Sequence, residues 1–264
     1  MAHPEEHYVQ DPDSDPLDGS PLVTASDVLE WRRRMGAGPD FAVPGLTILG
    51  FDGSLLEHAR RRYRARPRRG LGGDFLVLRP ERAGAEVGLL GCRGVGAPVA
   101  AVALEELAAL GARRIVGIGL AGSLVPDLVA GDVVVAGSAL RGDGVSPHYL
   151  PPGPSAHADP SLTESVAGVL RDGGVRHVLG IAWTTDALYR ETRAAVARAR
   201  RDGAVVVDLE AAAIFAVGAA LGVATAAVLV VADSLAGDTW KGPDGLQVCR
   251  GALARALDAV VGLG

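Results

Sequence analysis

Two cysteines in 264 residues, Cys92 and Cys249, are too few for a disulfide framework or a zinc cluster, so the chain reads as one suited to a reducing, cytoplasmic setting with no metal site. No basic segment followed by an apolar core opens the sequence, so export is not expected. Residues 1–20 hold six acids and no Lys or Arg. Subtracting them from the 31 acids leaves 25 against 26 basic residues, so the remainder is close to neutral. That balance excludes a general nucleic-acid binder, which needs a basic face to neutralise phosphates. The acidic opening lacks apolar periodicity, and residues 1–25 read as a disordered arm. Residues 26–264 read as one α/β domain without an internal repeat.

One long apolar run raises the question of a membrane. Residues 211–232 carry no charge over 22 positions, enough to span a bilayer. The run contains Gly218 and Gly222, changes from Ala-rich to Val-rich after Gly222, and is flanked by Asp208, Glu210 and Asp233 rather than by basic anchors. A buried helix, a turn and a buried central strand account for it, and no membrane association is expected.

Elsewhere strands and helices alternate. Ser26-Asp27 starts a helix over 26–36, and Leu46–Leu49 is a short strand. Asp74–Leu78 and Glu86–Leu90 flank a Pro80–Gly84 turn as a hairpin. Helices are predicted at 98–110, 162–171, 191–201, 210–221 and 245–261, with strands at 114–118, 132–138, 178–182, 205–207 and 226–232. This pattern predicts a three-layer αβα domain with a mixed, largely parallel central sheet. Its ligand should lie beyond the C-terminal ends of the strands.

The segment Gly117-Ile-Gly-Leu-Ala-Gly122 matches the G-x-G-x-x-G pattern of dinucleotide sites. That site needs a helix directly afterwards, and Pro126 with Gly131-Asp132 leaves no room for one. The segment is therefore expected to be a glycine-rich turn between two strands. Other unusual residues gather at strand ends: Gly94-Val-Gly96-Ala-Pro98, whose glycines admit a ligand close to the backbone; Thr184-Thr-Asp-Ala-Leu-Tyr-Arg-Glu-Thr192; Glu210; and Asp233. Glu210 and Asp233 can divide labour between sugar hydroxyls and proton delivery. They can equally be a first-turn helix acid and a loop cap.

Taken in order, these segments resemble the type I nucleoside phosphorylases, which include purine nucleoside phosphorylases, uridine phosphorylases and nucleoside hydrolases. The likeness runs from about Leu46 to the C-terminus. It rests on Gly94–Pro98 with Leu104–Leu107, Gly119–Gly122 with Pro126-Asp127 and Gly131–Val134, Asp143–Pro152, Trp183–Thr192, Val207–Ala212 and Val230–Asp233. The resemblance implies cleavage of a nucleoside N-glycosidic bond, a homo-oligomer and no cofactor. Glu210 would bind the ribose hydroxyls, with Leu209 in the neighbouring ribose-contacting position. Asp233 would protonate or hydrogen-bond the base at N7, which tilts the substrate toward a purine or purine-like nucleoside. Thr184, Thr185, Asp186 and Tyr189 would line the base pocket, and Gly94, Gly96, Ala121 and Gly122 would approach the substrate.

The departures concern phosphate. Phosphorolytic relatives hold it with two arginines and a hydroxyl, and the corresponding positions here are Ser54, Gly117 and Leu120. Ser54, Gly119 and Arg93 remain as candidate anion contacts, and the arginine run 60–69 reads as a solvated helix face and linker unless it serves a neighbouring subunit. Hydrolysis is therefore expected ahead of phosphorolysis. Inorganic phosphate as co-substrate of a rebuilt anion site, and a nucleoside-binding protein without turnover, are the alternatives.

Overall fold

The computed structural model describes residues 19, 21–80, 84–243 and 245–264. The acidic arm through residue 18, and part of the turn at 80–84, lie outside the described residues. The chain starts with α1 (Ala25–Arg34), where Thr24 and Asp27 cap each other's amides as a capping box. There follow β1 (Leu46–Gly50), α2 (Gly53–Tyr63), the antiparallel hairpin β2 (Gly73–Leu78) and β3 (Val87–Cys92), and α3 (Ala97–Ala109). The second half holds β4 (Arg114–Ser123), β5 (Val133–Gly142), β6 (Ser155–His157), α4 (Pro160–Asp172), β7 (His177–Thr185), α5 (Arg193–Arg201), β8 (Ala204–Asp208), α6 (Ala211–Leu221), β9 (Ala224–Ser234) and α7 (Leu246–Val261).

The strands form one nine-stranded mixed sheet in the order β2-β3-β1-β4-β8-β7-β5-β6, and β9 pairs with both β4 and β5. Those double pairings close β4, β9, β5, β7 and β8 into a ring. Within the ring every strand has a partner on each side, while β2 and β6 remain the sheet's ends. One face is covered by α3 and α6, whose Leu104, Leu107, Ile214 and Phe215 share a core with Ile115 and Val134. The other is covered by α2, α4 and α7, where Leu55, Val166, Leu170, Leu253 and Leu257 pack on Val116, Ile118 and Val228. α5 closes a smaller cluster through Val196 and Ala199 against Ala204, Val207 and Leu124.

The uncharged stretch 211–232 divides as expected into α6, a left-handed cap at Gly222 (φ 65°) and β9. Among the described residues no helix is long and apolar enough to cross a membrane. The glycine-rich segment departs from expectation. Gly117–Gly122 is not a turn but lies within β4, paired in parallel with β9 throughout and with β1 at Gly117 and Ile118. Its missing side chains are replaced by neighbours: a Cβ on Gly117 would lie 2.7 Å from Ile214 Cδ1, and one on Gly119 would lie 3.5 Å from Phe51 Cβ. Gly117 thus serves helix-on-sheet packing, with Ile214 of α6 seated over it. The arginine run read as a helix face and linker supplies Arg60–Arg62 to the last turn of α2, whose start at Gly53 was not expected; nor was the short strand β6, and α5 begins at Arg193 after a 3₁₀ turn at Leu188–Arg190.

Candidate active site

Sequence candidates at the C-terminal ends of β3, β4, β8 and β9 meet one another, Gly96 with Glu210 and Gly122 with Asp233. The β3–α3 connection turns through Gly94 (φ 116°) and Gly96 (φ 103°), a region in which L side chains are strained. The second of these glycines caps α3, and its amide donates to Glu210 Oε1 at 2.6 Å. Glu210 itself stands at the N-cap position of α6, 5% exposed. Two backbone amides, of Gly96 and Leu209, favour its ionised form. Burial and the neighbouring Asp208 outweigh them and push its carboxyl up to about 7.

Asp208 was not among the sequence candidates, yet it organises this corner. Its Oδ2 accepts from the amides of Glu210 (3.1 Å) and Ala211 (2.6 Å), and its Oδ1 accepts from Thr184 Oγ1 (2.6 Å). Thr184 Oγ1 in turn accepts from the Ala212 amide at 2.9 Å. Thr184 is thereby committed to fastening β7 to α6 and is fully buried. Burial raises Asp208 to about 6 despite these three donors. An acid able to take successive amides at a helix start is an N-cap signature, so Asp208 could have been read from Val207-Asp-Leu-Glu210.

Asp186 is likewise engaged: its Oδ2 accepts from the Gly144 amide at 2.7 Å and ties the segment after β7 to the loop after β5. In that loop the buried Asp143 accepts from the amides of Val145 (3.0 Å) and Ser146 (2.7 Å), and from Ser146 Oγ (2.7 Å). Thr185 is buried and accepts from the Ala187 amide at 3.3 Å. Tyr189 neither packs in the core nor touches a named partner, at 95% exposure.

Asp233 is placed by a register shift. Ala121 pairs with Val231, but Gly122 pairs with Asp233, so Ala232 is the extra residue of a bulge. A Cβ on Gly122 would lie 2.7 Å from Asp233 Oδ1, which makes glycine necessary under this carboxylate. Gly122 also pairs with Val207, three residues before Glu210. The two acids therefore stand beyond strands on opposite sides of β4. Two further residues missed in the sequence join Asp233: Trp240 Nε1 donates to its Oδ2 at 2.6 Å, and Glu191 is pushed up to about 7, by burial first and by Asp233's charge second.

The family profile described as the phosphorylase superfamily matches residues 47–261, nearly the whole of this architecture. The chain belongs to the phosphorylase superfamily. Uridine phosphorylase of Treponema pallidum (strain Nichols) is 32% identical over 149 residues, 52% of this chain and 58% of the relative. Guanosine phosphorylase of Halorubrum lacusprofundi is 30% identical over 151 residues, 57% of this chain and 63% of the relative. Each match spans less than two thirds of the relative's own length. Among solved structures, purine nucleoside phosphorylase of Toxoplasma gondii in complex with immucillin-H has a TM-score of 0.74 at 23% identity, covering 84% of this chain and 92% of its own. AMP nucleosidase of Bacteroides thetaiotaomicron has a TM-score of 0.72 at 19% identity, covering 89% and 96%. Both share the fold.

Of the candidate anion contacts, Ser54 and Arg93 each face a carboxylate. Ser54 lies in the first turn of α2, where its amide (2.8 Å) and its hydroxyl both donate to Asp52 Oδ1. Arg93 has a side chain 76% exposed and faces Asp74 at 3.6 Å. Gly119 lies beneath Phe51, and Gly117 beneath Ile214. Cys92, next to Arg93, has its thiol pushed up to about 12 by burial and by Glu210, so it is neither a nucleophile nor an anion ligand.

Proposed function

We propose that the protein cleaves the N-glycosidic bond of nucleosides, purine or purine-like ones preferred, and that water rather than phosphate is the acceptor. The observation that carries this reading is the arrangement of the two carboxylates. Glu210 is held at the junction of two helix starts, and Asp233 stands on the strand across β4 from it. Departure of a base leaves positive charge on the sugar and negative charge on the base. A carboxylate near the ribose stabilises the first and an acid near the base neutralises the second.

The preference for water is supported by what occupies the strand-end surface. Phosphate must exchange its hydration for cationic or strong donor groups. Ser54 gives its donors to Asp52, Arg93 turns to Asp74, and the β4 glycines are covered by Phe51 and Ile214. Phosphorolysis has one observation in its favour, the names of the relatives, which are uridine and guanosine phosphorylases. A phosphate titration separates the two. Base release from a purine nucleoside should proceed equally with and without phosphate, and mass spectrometry should find free ribose. Turnover proportional to phosphate, with ribose 1-phosphate as product, would overturn the hydrolytic reading. A melting shift with nucleoside but no free base would leave only a binding protein.

A further inference from the structure

We propose that Trp240 positions Asp233, fixing Oδ1 as the oxygen that hands a proton to the departing base. The inference rests on the glycosidic-cleavage reading and assigns a role within it to a residue outside the strand ends. An indole N–H can donate but not accept. With Trp240 Nε1 on Oδ2 at 2.6 Å, a proton carried by Asp233 must reside on Oδ1. Oδ1 is the oxygen that packs over Gly122, beside the strand end leading to Glu210.

The indole is placed by a clamped loop. Ser234 and Lys241 exchange both backbone hydrogen bonds at 2.9 Å and close residues 235–240 into a hairpin-like loop. From α5, Arg200 Nη2 donates to the Ala236 carbonyl at 2.5 Å, and Arg193 Nη2 donates to the Asp238 carbonyl at 2.8 Å. The Trp240 ring rests against Gly242, where a Cβ would come within 2.9 Å of Cη2. A large aromatic that remains 64% exposed gains little from burial, so its hydrogen bond is the interaction that explains its place.

In the proposed step the C1′–N bond breaks with its electron pair going to the base, and the Oδ1 proton moves to a ring nitrogen. Water adds to C1′, and the proton it sheds restores the acid form of Asp233.

The test compares wild type with Trp240→Phe, which keeps a ring on Gly242 and removes only the donor. On a purine nucleoside, kcat should fall about tenfold or more with KM little changed, the scale of a misplaced general acid. On 4-nitrophenyl riboside, whose leaving group departs without a proton, kcat should hold. In an Asp233→Asn background the Trp240→Phe substitution should add no further loss. Equal losses on both substrates, no loss on either, or a full additional loss in the Asp233→Asn background would overturn the positioning role. If wild type released no base from any nucleoside while remaining folded, the glycosidic reading itself would fall and take this role with it.

Discussion

A carboxyl group buried beside another carboxyl holds its proton more tightly, and Glu210 is in that position next to Asp208. Stabilising a positively charged sugar requires the ionised form. Activity should therefore rise with pH as Glu210 loses its proton, with kcat/KM increasing through a midpoint near 7. Glu210→Gln keeps the size and the Gly96 contact but removes the charge. It should lower kcat/KM by on the order of 10²-fold or more and flatten this limb, as a pH–rate profile would show. An unchanged limb in the variant would assign the titration to another group.

At the junction of β7, β8 and α6, Thr184 and Asp208 act as fasteners between elements. Thr184→Val preserves shape but removes the donor to Asp208 and the acceptor for the Ala212 amide. Leaving buried polar groups without partners costs about 1–3 kcal/mol, which should appear as a lower denaturation midpoint. KM should change little, because the hydroxyl is fully committed inside the protein. A large rise in KM at unchanged stability would return Thr184 to the substrate pocket. The same reasoning applies to β4: Ile214 of α6 crosses at Gly117, where any side chain would have to displace it, whereas Gly119 meets Phe51 at ordinary contact distance.

For the whole molecule, three acids share one sign of pH dependence. Asp208 is raised to about 6, and Glu210 and Glu191 to about 7, all above their ordinary values near 4. The folded protein therefore binds more protons than the unfolded chain between about pH 4 and pH 7. Through these groups, stability is greatest at the acid end of that window and declines as pH rises through it. Denaturant unfolding at pH 5 and pH 7 should show this contribution, and Glu210→Gln should reduce the slope. A steeper decline in the variant would contradict the sign.

The alternation of elements, the β2–β3 hairpin, the division of 211–232 at Gly222 and the strand-end location of Glu210 and Asp233 were all legible in the chain. Periodicity, caps and turn residues act over a few positions, so they survive reading one segment at a time. Gly117–Gly122 was misread because its composition signals a turn. β9 pairs with it along its length, β1 joins at Gly117 and Ile118 and β8 at Gly122, and Phe51 and Ile214 fill the space its glycines leave. The closure of β8 onto β4, the bulge at Ala232 that aims Asp233, the turning of Arg93 toward Asp74, and the meeting of Trp240 with Asp233 also came only from the folded chain. Each depends on which surfaces the sheet brings together, and side-chain direction at a register shift or in a loop carries no local periodic signal.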